Sequence, residues 1–299
     1  MTKPDLTRLG LVLLVRVLAV MPLRVSHALG QFIGGLLGYF PNGLRRVSLI
    51  NLALCFPEQT AAWHRRIARQ SLAETIKAAL EAPRLWRLSS DRIRALLVDQ
   101  VGEVPSPAAL ADKRYVLASP HLGSWEYAGL YAATFCRMTT LYRPPRLAVL
   151  EQPLRQARAN TGAQLVATTV AGMRSLYQRL DAGGCLGILP DQAPRRDHGV
   201  FAPFFGLPAN TMILPHRFAL RYGCPVYMTF AERLPKGRGY RLHWHRVDQR
   251  LYQRDPVAAA TALNAAAEYQ IRRCPAQYTW SYKRFKRQPD PQQVNPYRR

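Results

Sequence analysis

The chain has 299 residues, 48% of them apolar and 20% charged, which is enough to bury a sizeable core and excludes both a disordered chain and a polytopic membrane protein. Forty-two Lys and Arg against 18 Asp and Glu leave a formal net charge of +24, a surplus that points to anionic partners: nucleic acid, an anionic membrane surface or acidic substrates. The five cysteines, Cys55, Cys136, Cys185, Cys224 and Cys274, show no CxxC or Cys/His spacing, so neither a zinc site nor a disulfide framework is expected, and buried reduced thiols on the cytosolic side fit best.

Residues 9–23 (LGLVLLVRVLAVMPL) are apolar apart from Arg16 and are followed by Arg24. A spanning helix needs about 20 apolar residues; this stretch is short, charged in its middle and closed by Pro22. A second apolar stretch, 28–40 (ALGQFIGGLLGYF), carries Gly34, Gly35 and Gly38, which suits close helix packing or shallow contact with a bilayer. A signal peptide, a core helix pair and a helical anchor with snorkelling arginines are the open readings. The anchor is the expectation for residues 1–42, whether or not it spans.

Helical texture continues over 43–88. RRVSLINLALCF places apolar residues three or four apart until Pro57, and Thr60 is a natural N-cap for the helix that follows. Arg65, Arg66 and Arg69 on that helix suit a solvated face or a phosphate-facing one. Pro105 and Pro107 mark a loop. Short apolar runs then alternate with helices: strands at 115–118, 165–169 and 185–189, helices at 125–135 and 173–181, longer strands at 225–232 and 240–246, and an Ala-rich helix at 255–273. The expected architecture is α/β, a mixed sheet flanked by helices behind the helical membrane-associated N-terminal segment. Residues 43–287 form one domain, and the polar stretch 288–299 is expected to fray.

The sharpest local feature is residues 119–127, SPHLGSWEY. A strand ends, the chain turns at Pro120 and a helix begins near Ser124. His121 therefore stands at the carboxyl edge of the sheet, where open α/β sheets bind ligands. Across that turn Glu126 can meet His121, its carboxylate holding one imidazole nitrogen and leaving the other as a base, with no protein nucleophile. Cap and dipole roles serve a lone His-x4-Glu pair equally well. His198, His216, His243 and His245 form no ligand set, the last two simply sharing a strand face, and no metal or other cofactor is expected.

Taken with the rest of the chain, the His121–Glu126 box resembles the H-x4-D/E motif of the lipid A late (lauroyl/myristoyl) acyltransferases, within the wider lysophospholipid acyltransferase clan. Residues 51–58 (NLALCFPE) resemble that family's N-terminal helix signature, and Tyr142-Arg143-Pro144 followed by Arg158 resembles its YRP…R segment. Residues 189–192 (LPDQ) and 204–211 (FFGLPANT) resemble its middle blocks, and 277–286 (QYTWSYKRFK) its C-terminal block. The ordered set runs from about residue 44 to 287. Pro145-Arg146-Leu147 stands where the family commonly has Asn-Pro, and Pro215-His216 where it tends to have small residues; both departures bear on substrate choice.

The resemblance implies transfer of a fatty acyl chain from an acylated acyl carrier protein to a hydroxyl of a phosphorylated glycolipid, a lipid A precursor, at the cytoplasmic face of the bacterial inner membrane. It implies His121 as general base and Glu126 as the group that fixes its tautomer. Arg158 is implied as an oxyanion or phosphate contact, and Arg143 as a second phosphate contact. Asp191 and Gln192 are implied as substrate-binding, with a turn or cap role open for Asp191; Gly206 is implied at the substrate site, serving backbone geometry rather than chemistry. A surface of +24 would attract the acidic carrier, the phosphorylated acceptor and the anionic leaflet alike, with Lys283, Arg284, Lys286 and Arg287 as one contact. Other readings are acylation of another glycolipid or lysophospholipid, thioester hydrolysis, and a non-enzymatic basic membrane binder. No nucleic-acid-binding motif accompanies the charge.

Overall fold

The computed structural model describes residues 3–110, 114–142, 151, 156, 160–194, 198–290 and 292–298. Four helices come first: α1 (Lys3–Val20), α2 (Leu23–Leu37), α3 (Gly43–Cys55) and α4 (Ala61–Leu85). Asn42 caps α3 by accepting from the Arg45 amide at 2.9 Å, and Thr60 caps α4 by accepting from the Trp63 amide at 3.2 Å. Helix α2 crosses α4 at very short range. A Cβ on Gly34 would fall 2.4 Å from Ala73 Cα, and Gly30 and Gly38 face Lys77 and Arg69 in the same way. Residues without side chains, one helical turn apart, let two antiparallel backbones touch.

The buried stripe of α2, which includes Leu23, Ser26, His27, Gly30 and Gly34, faces α4. Its other stripe, Val25, Leu29, Phe32 and Leu36, is exposed, as are Leu9, Leu13 and Val17 of α1. No helix among the described residues is long and apolar enough to cross a membrane.

After α5 (Ser90–Ala95) the chain builds a seven-stranded sheet ordered β1-β9-β8-β2-β5-β3-β4. The strands are β1 (Leu97–Gly102), β2 (Tyr115–Ala118), β3 (Met138–Tyr142), β4 (Gln164–Ala167), β5 (Cys185–Ile188), β8 (Val226–Arg233) and β9 (Tyr240–Arg246). Every neighbouring pair is parallel except β8–β9. The connecting helices are α6 (Pro107–Leu110), α7 (Trp125–Ala133), α8 (Val170–Asp181) and α9 (Leu214–Tyr222), and α10 (Pro256–Arg273) follows the last strand. A separate hairpin, β6 (Gly199–Phe204) and β7 (Leu207–Met212), packs against α10.

The period-2 alternation of the strands sorts the core. Val116, Ala118, Leu186, Ile188, Val226 and Met228 join α3, α8, α9 and α10 on one face. Tyr115, Leu117, Tyr227, Leu242 and Trp244 join α7 on the other. Both faces are covered, as a largely parallel sheet requires.

Three features depart from the expectations. Strands β1 and β3 and the β6–β7 hairpin are not among the expected strands: in β1, LVDQVG lies at the sheet edge with alternating exposure and holds Asp, a poor strand former. The tail is anchored at Tyr297, which is buried, accepts from the Phe285 amide and donates its hydroxyl to Asn51 Oδ1. Two of the cysteines are joined: pairing of Met138 with Cys185 sets Cys136 beside Cys185, and the structure forms a disulfide there, whereas Cys55, Cys224 and Cys274 are free.

Candidate active site

Strands β2 and β5 are adjacent and parallel, with Ala118 opposite Ile188. His121 and Asp191 follow those paired ends at the same offset, so both emerge at one point on the carboxyl edge of the sheet. The turn that carries His121 is fixed by backbone bonds. Thr279 donates to His121 O from its amide and its hydroxyl, each at 3.0 Å, and Gly123 N–H donates to Gln277 O at 3.1 Å. Ser124 N–H donates to Ala231 O at 2.7 Å. Gly123 has φ +59°, and a Cβ there would lie 2.1 Å from Ala231 O, so only glycine fits.

Asp191 grips His121 twice. Its Oδ2 accepts from the His121 amide at 3.0 Å, and its Oδ1 lies 2.8 Å from Nδ1. Burial alone would push this carboxyl up, but the adjacent imidazole and its hydrogen bonds pull it below the usual carboxylate range. A charged Asp191 fixes the tautomer with hydrogen on Nδ1. Nε2 is then the basic nitrogen, and the Gln192 amide nitrogen stands 3.2 Å from it. Trp125 packs its ring 5.2 Å from the imidazole.

The carboxylate on Nδ1 is therefore that of Asp191 and not of Glu126, the partner expected from the sequence. Glu126 lies in the first turn of α7 and accepts from the Trp86 indole, just beyond α4, at 3.1 Å. It shares with His121 the wall of a cavity of about 480 Å³. That cavity runs between α7 and the sheet, with Leu117, Ala128, Met138, Gly187 and Ile188 along it and Gln192, Pro194 and Met212 near His121. It is mainly apolar, with a few convergent polar groups at one place, the usual make-up of a small-molecule site.

The remaining site candidates separate. Arg143 and Arg158 lie outside the described residues. Gly206, with φ +75°, sits beside Phe205 at φ +50° in the tip of the β6–β7 hairpin and is not in the cavity wall. Both positions have the positive φ that a tight two-residue hairpin turn uses, so Gly206 serves the backbone. The basic cluster also divides: Lys283 and Lys286 are exposed, whereas Arg284 is buried. Arg284 donates to Asn210 O at 2.6 Å and Thr211 Oγ1 at 2.8 Å, and burial pulls its pKa below the usual arginine value.

Arg284 belongs to a scaffold behind the site. Tyr282 accepts from the Ala193 amide at 3.0 Å, and Arg287 donates to Pro194 O at 2.5 Å, so the C-terminal block holds the loop after Asp191. Asn51 in turn donates to Trp280 O and Tyr282 O at 2.6 and 2.8 Å. Segments at 51–58, 119–127, 189–192 and 277–286, far apart in sequence, thus meet around one histidine.

A family model described as bacterial lipid A biosynthesis acyltransferase matches residues 3–287, which include all of these segments. The chain belongs to that family. Similar proteins include the lipid A biosynthesis palmitoleoyltransferase of Escherichia coli (strain K12), 24% identical over 271 residues covering 90% of this chain and 87% of that protein. The lipid A biosynthesis myristoyltransferase of the same strain is 25% identical over 288 residues, covering 94% and 87%. A lipid A biosynthesis acyltransferase of Haemophilus influenzae is 23% identical over 282 residues, covering 92% and 88%. This member of the lipid A biosynthesis acyltransferases is therefore an enzyme that transfers acyl groups.

Proposed function

We propose that this acyltransferase moves a fatty acyl chain from the thioester of an acyl carrier protein to a hydroxyl of a phosphorylated lipid A precursor, with His121 as general base. The observation that carries this reading is a carboxylate-held imidazole at a mainly apolar cavity of about 480 Å³, a lining that suits an acyl chain. The acceptor hydroxyl displaces the Gln192 amide from Nε2 and attacks the thioester carbonyl. His121 takes its proton as the new C–O bond forms. As the tetrahedral intermediate collapses the C–S bond breaks, and the imidazolium returns the proton to the leaving sulfur. Asp191 holds the ring and stabilises the imidazolium, as the carboxylate does in hydrolytic triads. Glu126 lies on the same wall, and Arg158 and Arg143 are proposed to meet the oxyanion and the acceptor's phosphates.

The exposed stripe of Leu13, Val17, Phe32 and Leu36 gives the enzyme a face suited to lying in a membrane surface, flanked by exposed Arg16 and Arg24. We infer residence on the cytoplasmic face of the bacterial inner membrane, where the acyl carrier protein and the precursor would meet. The test is an acyl-transfer assay in detergent with labelled acyl carrier protein donors and a tetra-acylated lipid A precursor, beside His121→Ala. Transfer by the wild type that vanishes in the variant is expected. Transfer that survives in the variant would remove His121 from the chemistry.

A further inference from the structure

Ser124 occupies the N-cap position of α7, where a serine hydroxyl ordinarily accepts from an amide of its own first turn. No such cap forms here. The hydroxyl instead donates across the structure to Glu81 Oε1 of α4 at 2.5 Å. Glu81 is 1% exposed and is not part of the cavity wall, so it meets no substrate.

Its other partners come from three further elements. Arg233 of β8 donates through Nε at 2.9 Å and places Nη2 2.8 Å from the same oxygen, and the Tyr240 hydroxyl of β9 donates to Oε2 at 2.9 Å. His27 Nε2 of α2 lies 2.7 Å from Oε2. Arg233 also stands 3.5 Å from Glu74, which pairs with Lys77 at 2.6 Å. A buried carboxylate persists only when its charge is met by such partners. Burial pushes Glu81 up, but Arg233 and His27 outweigh it and hold its pKa at about 2.

The placement of this hub is specific. Ser124 lies between His121 and Glu126, and its own amide is bonded to Ala231, close to Arg233 on the same strand. His27 lies on the α2 stripe opposite Val25, Leu29, Phe32 and Leu36, the exposed apolar face of the N-terminal hairpin. One buried carboxylate therefore touches the helix that seats the hairpin and the residue that starts the catalytic helix.

We propose that Glu81 is a positioning residue: through Ser124 it fixes the turn carrying His121 and Glu126, and through His27 it ties that turn to the seat of the α1–α2 hairpin. Its kinetic consequence rests on the acyl-transfer reading; its structural consequence does not. The experiment compares full-length wild type, Ser124→Ala and His27→Ala in detergent, by peptide hydrogen exchange over residues 119–130 and by steady-state transfer kinetics. Ser124→Ala removes no helix cap, so its effect comes from the lost side-chain bonds to the hub, to Glu81 and its partner Tyr240. Faster exchange over 121–126 is expected in both variants, although His27 lies on a distant helix. In Ser124→Ala kcat should fall about tenfold with donor KM within about twofold, short of the ~100-fold that a 1 Å misplacement of reacting groups can cause. Unchanged exchange over 121–126 in both variants would overturn the proposal, as would a loss of rate fully accounted for by loss of folded protein. A wild type inactive on every acceptor tried would sink the acyl-transfer reading alone, because the exchange comparison still decides the coupling.

Discussion

His121 and Asp191 are 70 residues apart in the chain yet share two hydrogen bonds. The pairing follows from parallel strands of equal length ending side by side, each continuing into a proline-containing turn. Because the adjacent imidazole outweighs burial and keeps Asp191 ionised, Asp191→Asn should leave the fold intact while offering the imidazole an amide that can stabilise the wrong tautomer. Transfer should fall by about two to four orders of magnitude, the range associated with general-base catalysis, with circular dichroism unchanged. A rate within threefold of wild type would show that the carboxylate is only structural.

Glu81 gives a second prediction at this scale. Its folded pKa of about 2 lies below the ordinary carboxylate value of 4.5, so its charge stabilises the fold fully above the ordinary value. That contribution is lost as pH falls from about 5 toward 2. Unfolding measured stepwise from pH 6 to pH 3 should therefore show a steeper acid loss for the wild type than for Glu81→Gln. The variant should also be weaker at pH 7, because it leaves Arg233 buried without its full partner. Parallel acid profiles for the two proteins would refute the assignment.

Between elements, α2 and α4 cross at close range. Gly34 admits no Cβ without displacing the Ala73 backbone, whereas Gly35, its neighbour, has open space around it. Gly34→Val should separate the helices and lower the unfolding midpoint, with a cost of about 1–3 kcal/mol as for other overpacked sites. It should also speed proteolysis within residues 1–42. Gly35→Val, the control, should do neither. Equal effects at both positions would mean that helix propensity, rather than the close approach, sets the result.

For the molecule as a whole, the +24 charge and the exposed apolar stripe of the hairpin predict different behaviour on membranes. Charge attraction is screened within about 10 Å at 0.1 M salt, while burial of apolar side chains is not. Co-sedimentation with anionic vesicles should weaken with salt yet persist at 0.5 M for the full chain, and should become fully salt-sensitive once residues 1–40 are deleted. Retention of the truncated protein at high salt would make the basic surface or another face the anchor.

The alternation of short apolar runs with helices is written locally, and so the α/β class, most of the strands and the α3, α4 and α10 helices are legible in the chain. His121 is legible too, because a strand, a proline turn and a helix start lie within one short segment. The family is legible because its blocks keep their order along the chain. Contacts between segments are different, since they depend on register and crossover. Only the neighbouring of β2 and β5 made Asp191 the partner of His121, and only the placement of α7 turned Glu126 toward Trp86. The burial of Arg284 inside a cluster that reads as surface charge, the anchoring of Tyr297 and the meeting of Cys136 with Cys185 have the same origin. Local sequence sets which backbone shapes are cheap; which side chains then share a buried site is decided by how those shapes pack, and there the cost of an unpartnered charge selects the final arrangement.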